Sequence, residues 1–192
     1  SFVHMNRVSE DDAALLTAAG TAVVWCPYGQ LQALGRPGAR PRMPALWRAG
    51  VAVGIGSDIA RAANLDGLGA LAVAASTAAG DPASPAEILR MRCAGAARTM
   101  GAPDLGVIRA GNRADLVVRR ADATEQLGID ADPEVGVLGA RGSVRTVVVG
   151  GVVVFDDGHP TGFDETEAVL EARRSVRRLA TRTTPDLIRS AP

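Results

Sequence analysis

The chain predicts an α/β fold of consecutive βα units around a parallel sheet, followed by a small all-β segment and a closing helix. Three observations carry that class. Apolar, β-branched runs at 21–26 and 51–58 read as strands buried on both faces. Capped helical patterns separate them, the spacing of parallel βα units. After Leu105 the pattern changes to strands with no helix between them.

Taken in order, residues 1–3 predict a buried strand end, with His4 next. Ser9-Glu10-Asp11-Asp12 has the form of a capping box with an acid at its third helical position, so a helix starts at Ser9. Leu15 and Leu16 are its expected apolar face, and Gly20 is its stop. Residues 21–26 form a second strand ended by Pro27, and a loop rich in Gly, Pro and Arg follows to about Arg42. Pro44 fits the first turn of a short helix that Gly50 closes.

The next run, Val51-Ala52-Val53-Gly54-Ile55-Gly56-Ser57-Asp58, ends on a carboxylate. Barrel enzymes of the (β/α) type place catalytic groups where such strands emerge, and helix caps also use Asp there. Asp58 is therefore either a metal ligand or a cap.

Residues 64–79 predict an Ala- and Leu-rich helix stopped by Gly80. Ser84-Pro85-Ala86-Glu87 is a well-formed start for another, running to about Thr99 with Ile88, Leu89, Cys93, Ala96 and Ala97 inward. A strand is expected over 114–118 and a hairpin over 144–155, turning at Gly150-Gly151. Residues 121–142 read as irregular, and 165–180 as a closing helix with Val169, Leu170, Val176 and Leu179 apolar. Its Arg173, Arg174, Arg177 and Arg178 read as a solvated face.

Composition narrows the function. The 192 residues carry 21 basic and 21 acidic groups, so no long-range field draws in nucleic acid or an anionic membrane. Aromatics make up 3%, too few for a base-stacking platform. Every basic residue is Arg, which excludes a lysine Schiff base or carbamate within these residues. Two cysteines, Cys26 and Cys93, suit buried reduced thiols in a cytoplasmic protein rather than a disulfide framework. No apolar run reaches membrane-spanning length.

His4 and Asp58 both stand at expected strand C-termini, two βα units apart, where a barrel would bring them to one mouth. An imidazole and a carboxylate suit a zinc-type Lewis acid, but a catalytic zinc takes three protein ligands. The other histidine, His159, falls in a Gly-Pro loop and reads as exposed. Cys26-Pro27 has no evident nucleophile partner and reads as a buried thiol. Gly54-Ile55-Gly56 fails as a dinucleotide fingerprint because Ile59 stands where its last Gly belongs.

The succession of His4, a capped helix, Val23-Val24-Trp25-Cys26-Pro27, Gly50-Val51 and Gly56-Ser57-Asp58 resembles the last third of the barrel in the amidohydrolase superfamily. The nearest likeness is to its chlorohydrolase and deaminase branch, which includes triazine hydrolases and cytosine, guanine and adenosylhomocysteine deaminases. Ala94 to Met100, Gly106-Val-Ile-Arg-Ala-Gly111 and Asn112-Arg-Ala-Asp-Leu-Val-Val118 resemble that family's exit from the barrel into a composite β-sandwich. Residues 144–158 resemble the sandwich's closing hairpin, so the likeness spans about 1–158.

The resemblance implies the C-terminal portion of a (β/α)8 TIM-type barrel at 1–103, part of a composite β-sandwich at 104–160, and a helix and tail at 161–192. It implies a metal-dependent hydrolase in which metal-activated water attacks a C–N or C–halogen bond at an sp2 carbon of a heterocyclic or amidine-like small molecule. Asp58 matches the metal-binding aspartate that also accepts a proton, and His4 the histidine that contacts the water or the reacting group. The metal is expected to be zinc, with iron the alternative. The family's His-x-His pair and strand-five histidine would precede Ser1, so the chain is expected to be the C-terminal part of something longer. Expected partners are a small-molecule substrate and further copies of the chain, not nucleic acid or membrane.

Two departures stand out. The family's frequent Cys-Pro-x-Ser-Asn reads Cys26-Pro27-Tyr28-Gly29-Gln30, and Gly-Thr-Asp-Gly reads Gly56-Ser57-Asp58-Ile59. The alternative from a different class is a non-catalytic fragment or structural partner, because about three barrel strands alone would leave sheet edges and apolar faces exposed.

Overall fold

The computed structural model describes residues 1–58, 67–120, 138 and 144–187, with side chains through Ala180. Three strands, β1 (Phe2–Val3), β2 (Val23–Trp25) and β3 (Val53–Ile55), pair in chain order as a parallel sheet. Phe2 lies beside Val23, and Val23 beside Val53, so the three C-terminal ends leave the sheet side by side.

Helix α1 (Glu10–Ala18) joins β1 to β2, with Ser9 and Asp12 closing the expected capping box. Leu16 is buried, whereas Leu15 is 68% exposed and does not join the apolar face. Gly20, at φ +59°, ends the turn after the helix.

The loop expected after Pro27 begins instead with a helix, α2 (Pro27–Ala33). Proline fits the first helical turn, where its missing N–H would have had no partner, so it starts this helix as well as ending β2. Helix α3 (Met43–Arg48) carries Pro44 in its first turn and is closed by Gly50 at φ +93°.

After β3 come α4 (Leu68–Ala78) and α5 (Pro85–Arg90). The latter continues through a π-helical turn (Met91–Gly95) into α6 (Ala96–Thr99). That turn rephases the helix face: Ile88, Met91, Gly95 and Ala97 are buried, and Cys93, expected in the core, is exposed. The helix lies so close to β3 that a Cβ on Gly95 would overlap the Val53 carbonyl oxygen. A Cβ on Gly54 would in turn meet Ala96 Cα at 2.9 Å.

The core gathers Val23, Trp25, Met43, Leu46, Val53, Ala72, Ile88 and Met91 between the sheet and these helices. Leu138 adds a buried side chain over α4, where it would meet a Cβ on Gly69. Arg48 fastens α3 to the chain ahead of α5. Its guanidinium donates to Glu87 at 2.7 and 3.0 Å, to Asp81 Oδ1 at 3.0 Å and to the Pro82 carbonyl at 2.7 Å.

The later strands form a separate antiparallel sheet in the order β4 (Leu116–Arg119), β5 (Val144–Val149), β6 (Val152–Asp156), β7 (His159–Pro160). The β5–β6 hairpin turns through Gly150 and Gly151, both at positive φ, and Asp115 Oδ1 accepts the Gly150 N–H at 2.7 Å. His159 is exposed, as expected, but stands in β7 rather than in a loop. Residues 106–111 form no strand, running from a bend at 106 and 107 to a turn at 110 and 111.

The last helix, α7 (Glu165–Leu187), runs further than expected. Its Val169, Leu170, Val176 and Leu179 are exposed. Arg174 and Arg178 both pair with Glu171 along the helix surface, consistent with a solvated face. Residues 64–66 and, Leu138 apart, 121–142 lie outside the described residues. No described helix is long and apolar enough to cross a membrane.

Candidate metal centre

The site stands at the C-terminal ends of the parallel strands. His4 follows β1 directly, Cys26 follows β2 directly, and Asp58 lies three residues beyond β3. Because the strands are in register, the three residues converge. His4 Nε2 lies 3.8 Å from Asp58 Oδ2, and one donor atom from each of His4, Cys26 and Asp58 lies within 4.8 Å of the others.

The backbone is bent to achieve this. His4 (φ +70°), Met5 (φ +49°) and Asp58 (φ +65°) occupy the left-handed region that residues with a Cβ avoid. Such strain persists only where surrounding structure over-determines it, and it concentrates at functional sites. His4 N–H bonds to the Val24 carbonyl at 3.0 Å, and Gly56 N–H to the Trp25 carbonyl at 2.8 Å. Both flanks of the site are thus tied to β2.

Both residues singled out in the sequence are brought together here. Sequence reasoning missed two others. Cys26 is a buried thiol, as expected, but it faces His4 and Asp58. Burial, and then the Asp58 carboxylate, push its thiol pKa up to about 11. The available signal was positional, since Cys26 ends β2 as His4 ends β1.

The second is Gly29, on α2. A Cβ there would lie 3.4 Å from His4 Nδ1 and 3.6 Å from Asp58 Oδ2, so any side chain at this position would border the site directly. With glycine here, this chain leaves that wall bare. Gln30, the other departure, is buried and donates from Nε2 to the Ala75 carbonyl at 3.1 Å. Its amide serves the packing of α2 on α4.

An imidazole, a carboxylate and a thiol suit a borderline divalent cation. The Asp58 carboxylate faces the His4 ring at 3.8 Å, with its side chain part-exposed toward the site. The residues present therefore fit a metal, while supplying fewer donors than a catalytic zinc of the usual His-rich kind takes.

A parallel α/β sheet with a histidine beyond its first strand and an acid beyond its third is an arrangement that suits metal binding. The comparisons agree: the chain belongs to the amidohydrolase family, whose sequence profile matches residues 2–154. It is similar to the 5-methylthioadenosine/S-adenosylhomocysteine deaminase of Pelotomaculum thermopropionicum, 30% identical over 188 residues that cover 93% of this chain and 42% of that protein. It is also similar to an isoxanthopterin deaminase from an unknown prokaryotic organism, 33% identical over 93% of this chain and 41% of that protein.

Among solved structures, a zinc-bound adenosine deaminase from Xanthomonas campestris aligns with a TM-score of 0.82 at 28% identity, covering 93% of this chain and 42% of its own. The zinc complex of an atrazine chlorohydrolase from Arthrobacter aurescens aligns with a TM-score of 0.76 at 27% identity, over 90% and 40% respectively. The chain thus spans about two fifths of the length of the relatives it matches.

Proposed function

We propose that the protein is a metal-dependent hydrolase acting on a C–N or C–halogen bond at an sp2 carbon of a heterocyclic small molecule. One observation carries the reading: His4 and Asp58 meet at 3.8 Å over the ends of a parallel sheet. The family and its zinc-bound neighbours support zinc as the metal.

On this reading β1–β3 are the last strands of a (β/α)8 barrel, and β4–β7 are part of a composite β-sandwich. The unit boundaries are 1–103, 104–160 and 161–192. The remaining metal ligands lie outside these residues.

The related proteins act on purine, pterin or triazine compounds, and the deaminases among them release an amino group. Attack at such a carbon pushes negative charge onto the adjacent ring nitrogen and needs a proton delivered to the leaving amine. A bound divalent cation supplies Lewis acidity that makes water a nucleophile near neutral pH.

On this reading Asp58 would hold that cation and accept the proton the water gives up. It can then return the proton to the departing nitrogen. His4, beside it and half-exposed to the site, hydrogen-bonds the reacting centre as charge develops. Gly29 leaves room above both for a flat ring.

The test is ammonia release from a panel of aminopurines, aminopterins and aminotriazines, with chloride release from chlorotriazines in parallel. The full-length gene product should turn over at least one class, and His4→Ala and Asp58→Asn should each lose at least a hundredfold in kcat/KM. A folded, metal-loaded protein inactive on every class would reject the reading.

A further inference from the structure

The connections that leave the C-terminal ends of β1 and β2 carry arginines that the proposed hydrolysis does not use. Residues 4–9 follow β1, residues 34–42 follow α2, and the two segments are tied together. Arg7 and Arg40 pair as a parallel bridge, and the Arg40 N–H donates to the Asn6 carbonyl at 2.7 Å. Arg7 Nη2 donates to the Pro37 carbonyl at 2.9 Å. Turn bonds close the second segment on itself, from the Arg36 N–H to the Ala33 carbonyl at 2.9 Å and from the Ala39 N–H to the Arg36 carbonyl at 3.2 Å.

These segments enclose a cavity of about 430 Å³ lined by Met5, Asn6, Arg7, Ala33, Arg36 and Ala39. Among the described residues its lining holds two arginines and an amide but no acid, so its field favours an anion. Glu10 and Asp12 border a second cavity that Arg7 also lines. There Glu10 accepts from Arg42 at 3.1 Å and Asp12 from the Ser9 hydroxyl at 2.7 Å, so both carboxylates are already engaged. We propose that the cavity of Arg7 and Arg36 is a subsite for an anionic group, a carboxylate or a phosphate, carried on an arm of the substrate.

Its position suits that use. Met5 directly follows His4, and Ala33 lies one turn beyond Gly29 on the same face of α2, about 6 Å along the helix. A ring held over His4 and Asp58 can therefore reach the cavity with a short arm. Guanidinium groups offer paired N–H donors that match the oxygens of a carboxylate or phosphate. The hydrogen bonds that hold the loop have already met part of the ordering cost of binding. That the anion belongs to the substrate rests on the hydrolytic reading, whereas anion binding in the cavity does not.

The experiment has two arms on the full-length gene product. In the first, inorganic phosphate is titrated and followed by its phosphorus NMR line width. Phosphate should bind, weaken with added salt, and weaken about fivefold or more in Arg36→Gln. Arg109→Gln, an exposed arginine elsewhere, should leave binding unchanged. Asp58→Asn should still bind phosphate, which separates the cavity from the metal centre. Absence of binding, loss of it in Asp58→Asn, or equal binding in wild type and Arg36→Gln would overturn the proposal.

The second arm compares turnover of adenosine 5′-monophosphate with adenosine, and of pterin-6-carboxylate with pterin, which distinguishes phosphate from carboxylate. The anionic member of a pair should be preferred, and Arg36→Gln should cut the preference about fivefold or more through KM with little change in kcat. A preference that is absent, or that survives in Arg36→Gln, would overturn the assignment to substrate. Phosphate bound as expected in a protein that turns over no heterocycle would sink the hydrolytic reading, and the assignment to substrate with it, while leaving the anion site standing.

Discussion

Replacing Asp58 by glycine and by alanine separates what the carboxylate does from what the backbone does. Both variants lose the same carboxylate, so that contribution cancels in the comparison. The left-handed region costs a residue with a Cβ about 1–2 kcal/mol relative to the right-handed one, and glycine almost nothing. Glycine's greater freedom in the unfolded chain costs about 0.5–1 kcal/mol in the other direction. At φ +65° the first effect wins, and Asp58→Gly should be more stable than Asp58→Ala by about 0.5–1 kcal/mol.

The same substitution at Ala79, where φ is −80°, should show the ordinary order, with Ala79→Gly less stable than the parent by about 0.5–1 kcal/mol. Urea unfolding of the four proteins, with m held constant, reads the differences from the midpoints. If alanine at position 58 proves as stable as glycine or more so, Asp58 is not held left-handed and the aim of its carboxylate is wrongly drawn.

Three other outcomes follow from the packing and charges. Gly95→Ala should destabilise by about 3 kcal/mol or more, seen as a lowered Tm, because the new Cβ must displace the Val53 carbonyl and the gain in helix propensity is only about 1 kcal/mol. Glu87, held by Arg48 and by the Ser84 cap, has its pKa lowered from 4.5 to about 2 in the folded chain. Its stabilisation is therefore full above pH 4.5 and lost as the pH falls toward 2. Stability measured from pH 6 to pH 2 should contain a decline of about 2 kcal/mol that Glu87→Gln lacks, allowing for screening at half-exposed Arg48. Burial pushes both thiols up, so exposure decides between them: alkylation at neutral pH should label exposed Cys93 before buried Cys26, and equal labelling would contradict that burial.

Much of the frame was legible because its signals are local. Ser9-Asp12 and Ser84-Glu87 satisfy their own backbone N–H groups within one turn, so the helix starts could be read directly. Gly150-Gly151 likewise needs only its own backbone freedom to turn a hairpin. What escaped depends on distant parts of the chain. Pro27 carries the same residue-level signal whether it ends a strand or opens a helix, and the packing of α2 on α4 through Gln30 favours the helix. The exposure of Cys93 follows from a π-helical turn pressed on β3 at Gly95, which no periodicity within the helix reveals.

The site was half legible. Strand-end positions nominated His4 and Asp58, whereas the approach of Cys26 and Gly29 follows from the parallel register of β1, β2 and β3. A single residue of slip would have turned these side chains to the other face of the sheet.

The central claim is that Asp58 ligates a catalytic metal, and metal content tests it most directly. The full-length gene product, purified without chelator and analysed by plasma mass spectrometry, should carry about one zinc per chain, and Asp58→Asn should lose most of it while remaining folded. A folded wild-type protein without a divalent metal, or an Asp58→Asn variant that retains its full complement, would contradict the account.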